Sequence, residues 1–294
     1  MKKLVLLLLF YSACETIVDI DIPKEDTRLV LNGFFNPDSI LSVALYESLH
    51  VLDDSEFKVV EDATVSIFDG DGVKLADLVD EGSGRYSSAF HPEVGTQYRI
   101  EASKTGYQAI EASDIIPADS ARVPTIQIVK TGEEGSGEYE ITFTIQDYAK
   151  EDFYEVQLMQ RTYYEFDGMA YDLVINHYME SEDVVFDDFT SSGIALLFND
   201  VLFNSGESKI TVTAFLNSYI SCDENPECIS EEYSLILRKV SASYFNYNRT
   251  LRLQQDLEGN PFAEPVSVYN NVTNGFGIFA GFRNSAFPFH LPED

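Results

Sequence analysis

Cys14 is the residue in this sequence whose neighbours prescribe a covalent reaction. Lys2 and Lys3 open the chain, Leu4 to Phe10 form an apolar run, and Tyr11-Ser12-Ala13 lead into the cysteine. A charged start, an apolar centre and small residues at a cut are the three parts of a secretory leader. The seven apolar residues Leu4 to Phe10 fall well short of a membrane span, which takes about 20. With a cysteine directly after the cut, the pattern predicts a bacterial lipoprotein whose mature chain begins at an acylated Cys14. Each buried methylene contributes roughly 0.8 kcal/mol, so the two or three chains of such an anchor hold firmly where one would not. The competing reading is an ordinary leader with a coincidental cysteine. It draws on Tyr11, which stands three residues before Cys14 where lipoprotein leaders carry Leu.

The remaining cysteines, Cys222 and Cys228, flank Asp223-Glu224-Asn225-Pro226-Glu227. In an exported chain this spacing predicts a disulfide over a turn, a small ring that contributes roughly 2 kcal/mol and pins a loop. Half a metal site is the weaker alternative, because His50, His91, His177 and His290 stand at no ligand spacing from the pair. Asp69-Gly70-Asp71-Gly72 reads as a hairpin turn. As a calcium loop it would need a Glu in the twelfth position, where the chain has Asp80.

No nucleophile elbow, phosphate loop, His-Glu-x-x-His or dinucleotide fingerprint occurs. Carboxylate pairs such as Asp53-Asp54 and Asp187-Asp188 are too common in so acidic a chain to single out. A two-carboxylate glycosidase is the enzymatic alternative, but the expectation is a protein without catalytic residues, cofactor or metal. Asn248-Arg249-Thr250 and Asn271-Val272-Thr273 match the N-glycosylation triplet, and Asp38-Ser39-Ile40 and Asp119-Ser120-Ala121 resemble an O-glycosylation triplet of Bacteroidota.

The elements that position these residues follow from pattern. With 45% hydrophobic and 13% aromatic residues, the chain is not disordered. Loss of Lys2 and Lys3 with the leader takes the formal charge from −31 to −33, which repels nucleic acid and anionic head groups. Residues 1–13 are the leader and residues 14–26 an acidic tether. Over residues 27–117, short alternating runs predict strands at Leu29-Val30-Leu31, Ser42 to Leu45, Thr64 to Phe68, Arg85 to Ser88 and Tyr98 to Ala102. These describe an immunoglobulin-like β-sandwich. Residues 118–294 form a second β-rich, sandwich-type domain, with strands at Thr125 to Val129, Tyr139 to Ile145, Tyr154 to Tyr164, Tyr171 to His177 and Lys209 to Phe215. Its closing strand is the glycine-spaced Gly275 to Phe282. Ser230 as N-cap and apolar residues from Tyr233 to Leu251 at spacings of three and four predict one long amphipathic helix over about 230–257. Its tyrosines are expected to pack into the core.

Several segments together carry a family resemblance. Cys14-Glu15, Ile20-Asp21-Ile22-Pro23, Leu29 to Gly33 and Val60 to Ile67 resemble the start of the Bacteroidota lipoproteins called domain of unknown function 4249. Phe198-Asn199-Asp200-Val201-Leu202-Phe203, Ser230-Glu231-Glu232-Tyr233, Gly259 to Pro265 and Asn274 to Phe279 resemble that family's closing motifs. The resemblance spans essentially the whole mature chain and carries no catalytic residues. It implies a lipoprotein working beside an outer-membrane β-barrel, a TonB-dependent transporter.

Two functional expectations follow. One is a non-enzymatic accessory or binding subunit of such a transporter, lipid-anchored in the outer membrane and facing the cell surface, with an unknown ligand. The other is a structural or biogenesis subunit of an envelope assembly that handles no cargo.

Overall fold

The computed structural model describes residues 26–50, 53, 55–132, 136–146, 150–187, 189–203, 206–216, 228–257, 260, 262, 264 and 266–292. The chain is mainly β, as its alternating pattern requires. Seven strands come first: β1 (Leu29–Phe35), β2 (Ser42–Glu47), β3 (Thr64–Asp69), β4 (Lys74–Asp80), β5 (Arg85–Ser87), β6 (Gln97–Ser103) and β7 (Ile110–Ile115). The second run is β8 (Arg122–Lys130), β9 (Glu138–Gln146), β10 (Phe153–Phe166), β11 (Met169–His177), β12 (Met179–Glu180), β13 (Ser192–Gly193), β14 (Leu196–Asn199), β15 (Glu207–Phe215) and β16 (Cys228–Val240). A helix, α1 (Ala242–Leu257), and a last strand, β17 (Phe276–Phe289), complete the chain.

Hydrogen bonding joins twelve strands along β11-β10-β16-β17-β1-β2-β5-β4-β3-β6-β7, with β14 added to β10. A five-stranded sheet, β13-β12-β15-β9-β8, faces the β10–β16 part of this path. The last strand spans both regions. Its first half runs parallel to β1, from Val30 opposite Phe276 to Phe35 opposite Gly281, and its second half runs antiparallel to β16, from Val240 opposite Phe282 to Tyr233 opposite Phe289.

Alternation decides which side chains meet. Leu29, Leu31, Phe35, Leu45, Ile67, Tyr98 and Ile100 point into one core together with Phe279 of β17. Ile141, Phe143, Tyr154, Val156, Leu158, Val212, Leu235 and Leu237 fill a second core between the two facing sheets. A smaller third cluster unites Leu197, Val240, Tyr244, Phe245, Ile278, Ala280 and Phe282 beneath the helix.

The expected helix over 230–257 is corrected: its first half is the strand β16. Residues 231–240 satisfy both periods, and the sheet wins because Tyr233, Leu235 and Leu237 alternate into the second core while β16 pairs with β10 on one side and β17 on the other. The N-cap is therefore Ser241, whose Oγ accepts the Tyr244 N–H at 3.1 Å. The strands β7, β12, β13 and β14 lie outside the sequence pattern, β4 is the second arm of the expected hairpin at Asp69 to Gly72, and the closing strand runs on to Phe289.

Glycine is required where β17 meets its neighbours. Gly277 has φ of 111°, and a Cβ there would lie 2.0 Å from the Leu31 carbonyl oxygen. At Gly281 a Cβ would lie 2.3 Å from the carbonyl oxygen of Ile115. Both the conformation and the space exclude a side chain at Gly277. Gly277→Ala is expected to destabilise the protein by more than about 2 kcal/mol, against about 1 kcal/mol for Gly72→Ala, whose Cβ would meet nothing within 4 Å. Urea unfolding of the two variants measures the contrast.

Candidate functional site

The helix is seated by two polar clusters before it forms one wall of a cleft. Asp114, at the end of β7, accepts hydrogen bonds from the Ser241 hydroxyl and from the Gly281 N–H at 2.9 Å. One carboxylate from the first run of strands thus holds the helix N-cap and the last strand together. Burial raises its pKa, and those same hydrogen bonds oppose the rise.

The second cluster lies on the outer face of β10 and β16. Glu155 pairs with Arg238 at 2.7 Å and accepts from the Tyr244 hydroxyl at 3.0 Å, while Arg238 Nε donates to Asn284 Oδ1 at 2.9 Å. Burial, and then the charge of Glu155, push the Tyr244 hydroxyl upward in pKa, so it stays a donor. Tyr244 also meets Phe34 edge-on at 5.1 Å between ring centres. The tyrosine face of the helix is core packing.

So seated, α1 faces β14 and the 184–202 segment across an open cleft of about 520 Å³. Phe245 on the helix packs against Phe153 at 4.8 Å, and Phe198 on β14 meets Phe186 edge-on at 5.4 Å. Val184, Val201 and Leu202 line the same cleft while 79%, 62% and 63% exposed. Three large apolar side chains left in water around one concavity are the mark of a binding surface.

Two charged groups of the rim are paired with each other. Arg249 Nε donates to Asp187 Oδ2 at 2.7 Å, and Asp187 Oδ1 accepts from Phe189 N–H at 3.1 Å and Thr190 Oγ1 at 3.0 Å. Beneath the cleft, Lys239 and Asp152 form an ion pair with side chains 3% and 5% exposed. Asp152 N–H donates to Asp200 Oδ2 at 3.0 Å, and Asp200 N–H returns a bond to the Asp152 carbonyl at 3.2 Å. This exchange anchors the turn that carries Val201 and Leu202. The arrangement offers shape and apolar area, with Arg249 and Asp187 spent on holding a loop and Glu151 at its wall.

A further buried network ties β11 to the five-stranded sheet. His177 Nε2 meets Gln160 Oε1 at 2.8 Å, and Nδ1 meets the Phe215 carbonyl at 3.2 Å. Gln160 Nε2 donates to Thr162 Oγ1 and to Glu231, which also accepts from the Tyr233 hydroxyl at 2.9 Å. That donor assignment turns the Gln160 oxygen towards the imidazole. Burial lowers the His177 pKa.

The residues singled out in the sequence fall elsewhere. Cys14 and Cys222 lie outside the described residues, as does the Cys228 side chain. Asp69 Oδ1 accepts from the Asp71 and Val73 N–H groups at 3.0 and 2.8 Å and closes the hairpin turn, while Asp80 accepts from Asp62 and Gly82 in a different turn. Asp53 lies in the loop after β2, Asp187 sits on the cleft rim, and Asp54 and Asp188 are outside the described residues. His177 ends β11, whereas His50, His91 and His290 lie outside the strands and the helix, far apart along the chain. Asn248 donates to the Tyr244 carbonyl, and Asn271 exchanges two hydrogen bonds with the Phe279 backbone. Asp38 and Ser39 lie in an exposed turn, whereas Ala121 is in the core.

Two of the closing motifs lie at these sites: Phe198 to Phe203 forms the cleft wall and its anchoring turn, and Ser230 to Tyr233 feeds the histidine network. The family model described as Domain of unknown function (DUF4249) matches residues 15–286. The chain belongs to this family. No curated protein matches it. The cleft residues on α1 and in 184–190 were missed from sequence; the signal available was the apolar pair Val201-Leu202 beside the turn residues Asn199-Asp200.

Two outcomes are expected. Lys239→Met strands a buried carboxylate and costs about 3–5 kcal/mol in urea unfolding, and Asp152→Asn added to it restores most of the loss. Because Asp114 is raised above its ordinary 3.8, the folded state holds its proton more tightly than the unfolded state. Its contribution to stability is fully present below 3.8 and is lost as pH rises through the folded value. Asp114→Asn should therefore gain stability relative to the parent over that rise, as read from paired unfolding curves.

Proposed function

We propose that this protein is a lipid-anchored outer-membrane accessory that binds and does not catalyse, and that it works with a TonB-dependent transporter by receiving a cargo group or a barrel loop in the cleft beside α1. The observation that carries this reading is the convergence of Val184, Val201 and Leu202 on one cleft in which Arg249 and Asp187 are paired with each other and Glu151 stands at the wall. A cleft with exposed apolar side chains and with Arg249 and Asp187 paired to each other suits recognition better than bond making, which needs a nucleophile, acid or base aimed at a substrate.

The leader residues Lys2 to Ala13 and the family resemblance support placement at the envelope. No helix among the described residues is long and apolar enough to cross a membrane, and in this reading acyl chains on Cys14 supply the attachment. A cell-surface orientation puts the cleft where cargo arrives. A disulfide between Cys222 and Cys228 belongs to the same reading, as an export-compartment crosslink.

Cys14→Ala should move the protein from the membrane pellet to the soluble fraction, read by immunoblot of fractionated cells. A tagged copy solubilised in mild detergent should bring down a β-barrel protein, and Leu202→Asp should reduce that recovery by about tenfold while leaving thermal unfolding within about 0.5 kcal/mol. A parent protein that recovers no barrel overturns the association, and an unchanged recovery with Leu202→Asp overturns the cleft as its site.

A further inference from the structure

The outer strands of a sheet carry unpaired backbone groups, and natural proteins blunt them. Most outer strands among the described residues are blunted here. β8 carries Pro124 and a register irregularity between Arg122 and Thr125. The second half of β17 contains Pro288. β7 is covered by the returning chain, with Glu111 bridged to Thr273 and Asp114 bonded to Gly281. β12 and β13 are two residues long and β14 is four.

Among the described residues β11 is the longest open edge without such a device, since the open stretches of β4 and β15 are shorter. It is nine residues long, ends the twelve-stranded path, and contains no proline or glycine. It pairs with β10 in unbroken register from Phe166–Met169 to Leu158–His177. Met169, Tyr171 and Val174 along it are exposed.

The hairpin turn tells which backbone groups are open. Asp167 and Gly168 have φ of 50° and 72°, the signature of a two-residue primed turn, in which the closing pair exchanges both hydrogen bonds. The closing pair is Phe166–Met169. Every second pair repeats this exchange along an antiparallel ladder. Residues 169, 171, 173, 175 and 177 therefore spend their N–H and C=O on β10, and Ala170, Asp172, Val174 and Asn176 direct theirs outward.

We infer that β11 is a docking edge that accepts an extended strand of a partner protein, one that alternates apolar and basic residues. Strand addition supplies main-chain hydrogen bonds, and the side chains beside the edge set the preference. The only cation of the distal hairpin, Arg161, is held by Asp172 through bonds of 2.8 and 2.6 Å, which leaves Glu165 and Asp167 to set the local field. A second copy of this chain, with a formal charge of −31, is disfavoured at that edge by like charge.

The test uses a fluorescein-labelled, end-capped nonapeptide of alternating Lys and Val with the full-length chain in detergent at about 0.15 M salt, read by anisotropy. Saturable binding is expected, weakened about tenfold or more by Val174→Pro and retained by Val174→Thr, since proline at 174 removes an outward N–H and no ladder bond. On the parent chain, N-methylation of alternate peptide amides should abolish binding in one register and spare it in the other, an arm that stands even if Val174→Pro fails to fold. Equal effects of both registers, binding unchanged by a folded Val174→Pro, or equal binding of a Glu/Val peptide would each overturn the inference. Self-association abolished by Val174→Pro in sedimentation would overturn the partner in favour of a second copy. Leu202→Asp should bind the peptide like the parent, which separates this edge from the cleft.

Discussion

The fold depends on one strand reaching backbone contact with residues far away in sequence. β17 arrives last and lies parallel to β1, close enough that the Leu31 carbonyl occupies the space a side chain at Gly277 would need. The same strand then continues antiparallel along β16. Because parallel partners need a long connection, the pairing of β1 with β17 sets the whole chain between them. The first core and the helix cluster both take residues from this strand, Phe279 in one and Ile278, Ala280 and Phe282 in the other. Alternation sends its odd and even side chains to opposite faces, so one strand serves two clusters.

Charge burial follows from the same geometry. Lys239 with Asp152, Arg238 with Glu155, and the Ser241 and Gly281 donors with Asp114 all sit where the helix or a loop crosses the long sheet. Removing charges from water is costly unless they are paired and hydrogen-bonded, and each of these groups has its partner on a different element. They specify where the helix sits. What the helix and β14 then leave exposed between them includes Val184, Val201 and Leu202, and this underlies the binding reading.

The β class, the hairpin at Asp69 to Gly72 and most strands of the first run were legible in the sequence because period-two alternation and turn residues are local signals. Gly277 stood out as part of a glycine-spaced run, and its close backbone contact follows from that spacing. The segment 230–240 was not legible. Its apolar residues fit both the helical and the strand period, and only pairing with β10 and β17, on residues from 42 (Val240 with Phe282) to 87 (Val240 with Phe153) positions away, settled it. The cleft escaped for a related reason: Phe245, Phe198 and Val184 have no common pattern along the chain.

By itself the sequence determined a strongly acidic, β-rich chain and membership motifs scattered from end to end. These are read from composition and from neighbours a few residues apart. Tertiary structure alone decided that the first and last strands pair, where the helix begins, which carboxylates become structural, and which apolar side chains stay in water around a cleft. Those outcomes come from long-range pairing and burial, where each residue's environment is set by partners that the local pattern does not specify.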